Sequence, residues 1–375
     1  GKGVWKSVDA GKTWNYLGLP NSRHIPRMVV HPQNPDIVYA AVLGDLYKPN
    51  NDRGVYKSVN GGKSWNKILF SDVQAGAVEL VMDPTNPRHL YASTWRIQRT
   101  PYSLSSGGEG SALWKSTDSG ATWKEISKNK GYAKGELGII GVTVSPVNPD
   151  RIWSIVENKD KGGVYRSDDG GKSWNKLSSG LPSGDYVGRI GLDISPVNPD
   201  YVYAIVEASA SKKGTYRSTD RGASWSKMGG YSTSGNYYQE IICDLFDQDK
   251  LYSMNTWLHH SEDGGRSFKR TGETNKHVDN HCLWQDPNDA NHWIVGCDGG
   301  IYETWNHAKD WQFKANLPLT QYYKVAVDNA EPFYNIYGGT QDNNSMGGPS
   351  RTTNSAGIVN ADCYITNGGD GFESQ

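Results

Sequence analysis

One eight-residue phrase recurs along the chain and limits the folds open to it. Ser7-Val-Asp9-Ala-Gly11-Lys-Thr13-Trp14 returns at Ser58–Trp65, Ser116–Trp123, Ser167–Trp174, Ser218–Trp225 and Ser261–Phe268, and a worn copy spans Thr304–Trp311 with Asn306 and Ala308 in place of Asp and Gly. Successive copies start 51, 58, 51, 51, 43 and 43 residues apart. Periods near fifty residues signal propeller blades or a solenoid, in which each repeat buries its apolar face against the next.

The phrase reads as a hairpin turn. Short alternating segments such as Gly54-Val-Tyr56-Lys-Ser58 lead into it, and others such as Ser64-Trp-Asn-Lys-Ile68 lead out. The side chain at its third position (Asp9, Asn60, Asp118, Asp169, Asp220, Asp263) can accept from the turn's amides, and glycine at the fifth supplies a positive φ. A second hairpin precedes each phrase: Val29-Val-His-Pro32-Gln-Asn-Pro35, Asp83-Pro84-Thr-Asn-Pro87, Ser145-Pro146-Val-Asn-Pro149 and Ser195-Pro196-Val-Asn-Pro199. Proline is excluded from central ladder positions, so these prolines mark strand ends. Two hairpins per period predict four-stranded antiparallel blades.

The phrase resembles the Asp-box (BNR repeat) of sialidases, sortilin-type sorting receptors, oligoxyloglucan-degrading glycoside hydrolases and a photosystem assembly factor. The resemblance implies an all-β β-propeller with the box turns away from the ligand face and structural in role. A narrower resemblance lies in His277-Val-Asp-Asn-His281-Cys-Leu-Trp284, Val295-Gly-Cys-Asp298-Gly-Gly-Ile301, Gln321-Tyr-Tyr-Lys324, Tyr337-Gly-Gly-Thr-Gln341-Asp-Asn343 and Gly369-Asp-Gly371, with the loop Arg99-Thr-Pro-Tyr-Ser-Leu-Ser-Ser-Gly107. These are similar to the large secreted bacterial sortilin-like or glycosyl-hydrolase-like repeat proteins, which implies a location outside the cytoplasm and a second propeller in the same polypeptide.

Blade arithmetic gives one seven-bladed propeller over 1–349, its closing blade shared between 3–17 and 322–340, and a tail over 350–375 that leaves the fold or begins a second propeller. Gly1-Lys-Gly-Val-Trp5 opens in mid-blade and Gly371-Phe-Glu-Ser-Gln375 closes nothing, the expectation for a piece of a longer polypeptide. With 39 Lys and Arg against 40 Asp and Glu, the chain lacks the basic footprint of a nucleic-acid binder. No apolar run reaches the roughly 18 residues of a membrane span.

Four cysteines are too few for a disulfide scaffold. A hairpin turning through Asn288–Asn291 would set Cys282 opposite Cys297, as a cross-strand disulfide in an exported protein or as two buried thiols.

Ionisable residues concentrate late in the chain. His277, Asp279 and His281, at alternating positions of an extended segment, would share one face and suit a divalent metal ion, or would bond one another and channel water. Asp298 and Asp342 follow second strands and could join them as ligand-binding groups, though Asx residues beside glycine also form turns. The insertion over 94–111, which accounts for the 58-residue interval, offers Trp95, Arg96, Arg99 and Tyr102 for recognition, or is a solvated loop. Fourteen Trp and 22 Tyr against 6 Phe favour rings that also stack on sugars. Arg23-His-Ile-Pro-Arg27 has the wrong order for a sialidase signature, and no arginine triad is identifiable.

Two functions follow from the resemblances. The reading favoured on sequence is a non-catalytic binding module for a glycan, peptide or protein partner, as in sortilin-like proteins. The alternative is a glycoside hydrolase of the oligoxyloglucanase type, with its cleft between two propellers that each contribute an aspartate; neither aspartate's motif can be matched here.

Overall fold

The computed structural model describes residues 3–184, 187–235, 237–317 and 320–372. Among them the fold is all-β apart from a single 3-10 turn, Asn360–Asp362. The chain divides into two compact units, Gly1–Ser253 with His259–Arg270, and Met254–Leu258 with Thr271–Gln375.

The first unit opens with a two-stranded ribbon, Trp5–Lys6 against Asn15–Tyr16. Five meander sheets follow. The first runs Arg27–Val30, Val38–Val42, Gly54–Ser58, Asn66–Leu69, each strand antiparallel to the one before. The second runs Ala75–Met82, Leu90–Arg99, Ala112–Ser116, Lys124–Glu125, with Leu104–Ser106 added beside Leu90–Arg99. The third runs Ile140–Val144, Ile152–Val156, Gly163–Ser167, Asn175–Leu177; the fourth Ile190–Ile194, Val202–Val206, Gly214–Ser218, Ser226–Gly229; the fifth Ile241–Cys243, Leu251–Ser253, His259–Ser261, Lys269–Arg270.

The second unit holds two four-stranded sheets. One is Asn280–Asp286, Asp289–Cys297, Gly300–Thr304, Gln312–Phe313; the other is Val325–Val327, Asn335–Gly339, Ser345–Pro349, Tyr364–Asn367.

The repeated phrase makes the turn between third and fourth strands. In the copy at Ser167, Ser167 Oγ donates to Asp169 Oδ1 (2.7 Å) and accepts from Gly171 N (2.8 Å), while Asp169 accepts from the backbone N (2.9 Å) and the hydroxyl (2.5 Å) of Ser173. The copies at Ser7, Ser116, Ser218 and Ser261 repeat that pattern. Position four is left-handed as well as position five: Ala10, Ser119 and Arg221 have φ of 58°, 60° and 64°. The sequence reading assigned a positive φ to the fifth position only.

Side chains also link successive sheets of the first unit. Trp65 Nε1 donates back to Leu17 O (2.7 Å) and Trp174 Nε1 back to Ile126 O (3.3 Å). Second-strand rings reach forward: Tyr39 Oη to Ser119 O (3.2 Å), Trp153 Nε1 to Arg221 O (3.2 Å) and Tyr203 Oη to Gln248 O (2.9 Å). Between these polar ties lies apolar packing, such as Tyr91, Leu113, Ile140, Ile152 and Trp174, all buried in one cluster.

Two expectations are corrected here. The shared closing blade does not form: Val325–Val327 and Asn335–Gly339 complete a sheet with Ser345–Pro349 and Tyr364–Asn367, so residues assigned to a tail supply its fourth strand. Among the described residues eight sheets form, one of them the two-stranded ribbon, which leaves the expected count of seven blades unconfirmed. The Cys282–Cys297 pairing fails by one residue. The hairpin turns at Pro287-Asn288, with Asp286 opposite Asp289, and a bulge follows Asn280, so Cys282 faces Gly296 and Cys297 faces Asn280. The four cysteines form no disulfide with one another.

Candidate functional site

In the second unit the structure brings together His277, Asp279, His281, Asp298 and Asp342. Asp279 adopts φ 63°, which ends the loop and lets the strand begin at Asn280. Its backbone N donates to Thr256 O (2.8 Å), and its carbonyl accepts from Asp298 N (3.2 Å). His281 Nε2 lies 3.0 Å from Asp298 Oδ1. From the other sheet of this unit, Asp342 O accepts from His277 Nε2 (3.2 Å), and Asn343 Nδ2 donates to Asp298 O (3.1 Å).

Asp370 adds a further carboxylate, accepting from Asp342 N at 3.1 Å. Partial desolvation, then the carboxylates of Asp370, Asp298 and Asp279, raise the Asp342 pKa, with His277 opposing. A carboxyl surrounded by like charges keeps its proton to higher pH than an isolated one.

A buried brace holds the loop. Lys276 and Glu273 pair at 2.7 Å with almost no exposure, and Lys276 Nζ also donates to His277 O (2.8 Å). Asn280, fully buried, donates through Nδ2 to Glu273 Oε1 (3.1 Å) and to the carbonyls of Asn255 and Thr256. Gly299 is required by close approach, since a Cβ there would lie 2.5 Å from the Cβ of His277.

The metal expectation for His277, Asp279 and His281 is not supported. Among the described residues no group of three or more His, Cys, Asp or Glu is placed to hold a metal ion. The alternation that would have aligned them needs an extended backbone, and the left-handed Asp279 breaks it. His277 meets carbonyl oxygens at both ring nitrogens, Val278 O (3.0 Å) and Asp342 O, while His281 pairs with Asp298.

The 94–111 insertion belongs to the first unit and is a strand extension rather than an open loop. Trp95 Nε1 donates to Ser106 Oγ (2.9 Å), whose hydroxyl donates to Glu157 Oε2 (2.6 Å). Arg96 is held by Gln74 Oε1, Ser105 Oγ and Gly107 O. Arg99 N donates to Leu46 O (2.8 Å), and Tyr102 at the tip is 90% exposed. Trp95 and Arg96 are thus used internally, leaving Arg99 and Tyr102, both exposed, as the presented side chains.

Sequence reasoning missed Asp370, Asn343 and the Glu273–Lys276–Asn280 brace. Asp298, singled out from the sequence because it follows a second strand, does so directly, and Glu157 and Glu207 hold the same position in their sheets.

Four-stranded meander sheets linked by repeated turns define a β-propeller class of protein. The family model Sortilin-Vps10, described as sortilin, neurotensin receptor 3, matches residues 111–255. A curated xyloglucanase of Acetivibrio thermocellus is 27% identical over 197 residues, covering 46% of this chain and 21% of that protein. The chain therefore spans about a fifth of the length of that relative. Among solved structures, the GH74 xyloglucanase of Xanthomonas campestris matches with TM-score 0.63 at 16% identity, over 92% of this chain and 55% of its own. YCF48 from Cyanidioschyzon merolae matches with TM-score 0.54 at 14% identity, over 86% of this chain and 94% of its own. At these identities the structural likeness establishes fold alone. No helix among the described residues is long and apolar enough to cross a membrane.

Proposed function

We propose that this chain is part of a carbohydrate-active β-propeller protein of the glycoside hydrolase type, acting outside the cytoplasm on a xyloglucan-like β-glucan. Its likeness to xyloglucanases supports this reading over the binding module favoured on sequence. The observation that carries the site is the convergence of Asp279, Asp298, Asp342 and Asp370 with His277 and His281. Glycoside hydrolysis needs one carboxyl that keeps its proton and one that is ionised. Asp342, with its raised pKa, is the candidate acid, and Asp298, bonded to His281, the candidate carboxylate. A second propeller of the same polypeptide would supply the facing wall of the cleft.

Reducing-end release from xyloglucan tests this directly. The unaltered protein, with its facing propeller, should cleave, and Asp342→Asn and Asp298→Asn should each lower kcat at least a hundredfold with the fold intact. Cleavage unchanged by both substitutions would remove the site. The sortilin match over 111–255 favours the second reading, a binding module; retention by glycan or peptide with no cleavage by the full polypeptide would select it.

A further inference from the structure

At the opposite end of the Asn280–Asp286 sheet from Asp298 lies an aromatic group that the reading above does not use. His292 stacks on Trp305 with ring centroids 3.5 Å apart and planes within 5°, and Trp284 meets the same imidazole edge-on at 5.5 Å. His292 is buried, whereas Trp284 and Trp305 are 45% and 54% exposed. An indole covered on one face and still half exposed presents its other face to solvent.

The imidazole is held on both sides. Nδ1 lies 2.9 Å from Asp286 Oδ2 and Nε2 2.9 Å from Glu303 Oε1, with Lys314 on the second oxygen of Glu303. Burial opposes the charged form of His292, but the two carboxylate bonds outweigh it and its pKa is raised. Asp286 and Glu303 are thus paired with the imidazole and Lys314, and the exposed part of the cluster is its aromatic faces.

The turn bearing Trp305 departs from its six relatives. Its second position, filled elsewhere by Val8, Val59, Thr117, Asp168, Thr219 and Glu262, is here tryptophan. The turn is nevertheless fixed: Thr304 Oγ1 donates to Asn306 Oδ1 (3.0 Å), Asn306 Nδ2 to Asp310 Oδ2 (2.6 Å), and His307 N to Asn291 O (3.0 Å). The copy that has lost the Asp and Gly of the phrase has kept a rigid turn and gained an exposed indole.

We propose that Trp305 is a stacking platform for a pyranose ring of a neutral glycan, with Trp284, set nearly perpendicular to it across His292, as a side wall and the exposed amides of Asn288 and Asn291 meeting the sugar's hydroxyls. A pyranose ring has an apolar C–H face suited to an indole and a polar rim suited to amides. The platform takes its ligand class from the proposed function but none of its residues.

Native electrophoresis through gels containing soluble xyloglucan, set against gels without it, tests the platform. The unaltered chain should be retarded, Trp305→Ala and Trp284→Ala should each weaken retardation about tenfold, a loss of about 1.4 kcal/mol, and Trp305→Phe should keep most of it. Val147→Ser, at an exposed position of the first unit, should be retarded like the unaltered chain. Absence of retardation in the unaltered chain, full retardation in both alanine variants, or saturation by a cationic peptide in place of xyloglucan would overturn the platform. The two proposals separate cleanly: retardation lost in Trp305→Ala without any cleavage by the full polypeptide leaves the platform and removes the hydrolase, and cleavage with undiminished retardation does the reverse.

Discussion

Replacing Asp169 by alanine should destabilise the first unit by about 2 kcal/mol, whereas asparagine should cost less than about 0.5 kcal/mol. The alanine figure comes from the turn itself. Asp169 accepts from Ser173 N, Ser173 Oγ and Ser167 Oγ, and Ser167 is fully buried, so its hydroxyl would lose its acceptor where water cannot replace it. An unsatisfied buried donor costs about 1–3 kcal/mol; the Ser173 bonds add little, because that side of the turn is partly solvated. The asparagine figure has an internal control. Asn60 already occupies this position in another copy, accepting from Ser64 N (2.9 Å) and Ser58 Oγ (3.0 Å) and donating to Ser64 Oγ (2.8 Å). Thermal unfolding followed by tryptophan fluorescence, with buried Trp174 as reporter, should show a fall of about 4–8 °C for Asp169→Ala.

Acid adds a second readout. Burial opposes ionisation of Asp169, but the bonds from Ser173 and Ser167 prevail and lower its pKa from 3.8 to about 2. A lowered folded-state pKa contributes stability that is present above the unfolded value near 4 and is lost as pH falls through about 2. Asp169→Asn should therefore flatten that part of the acid limb while changing little at neutral pH. Equal losses from alanine and asparagine at neutral pH would refute the hydrogen-bond account of the turn.

Gly131→Ala should destabilise by about 2–4 kcal/mol, because φ is +86° and a Cβ would fall 1.9 Å from Trp174 O; Gly184→Ala, with φ +101° and nothing within 4 Å, should lose only about 1–2 kcal/mol, and denaturant midpoints compare the two. Exposed Cys282 and Cys363 should react promptly with a thiol reagent in the folded protein and Cys243 only after unfolding. Mild oxidation should give no Cys282–Cys297 cross-linked peptide by mass spectrometry, and finding one would contradict the one-residue offset between those strands.

The repeat was legible because its turn chemistry is local: Ser, Asp and Gly at fixed spacing determine the turn whatever surrounds it. Non-local strand pairing was not. The sequence around Tyr322 to Tyr337 carries the alternation of two strands, yet nothing in that stretch says whether residues 3–17 or 345–367 complete the sheet. The cysteine register failed because it depended on where one hairpin turns, and Pro287-Asn288 closes it sooner than the Asx-rich run after it suggested. Grouping His277, His281, Asp298 and Asp342 succeeded because each lies beside a strand end, where a meander gathers its loops. Whether His277, Asp279 and His281 share one face was not legible, because it turns on one dihedral, at Asp279, that periodicity cannot report.

The direction of the ties between sheets bears on how the chain emerges during synthesis. Trp65 and Trp174 donate to carbonyls made 48 residues earlier, so each new sheet can fasten to one already present. The forward donors must wait: Tyr39 bonds a carbonyl 80 residues downstream, which at ribosomal rates arrives on the order of 4–16 s later. A growing chain of this design is secured behind and open ahead, with a tyrosine or tryptophan awaiting a partner at its advancing edge. Translation arrest just before Ser119 would strand Tyr39 in that state, making the leading edge the part of the nascent protein most exposed to association with other chains.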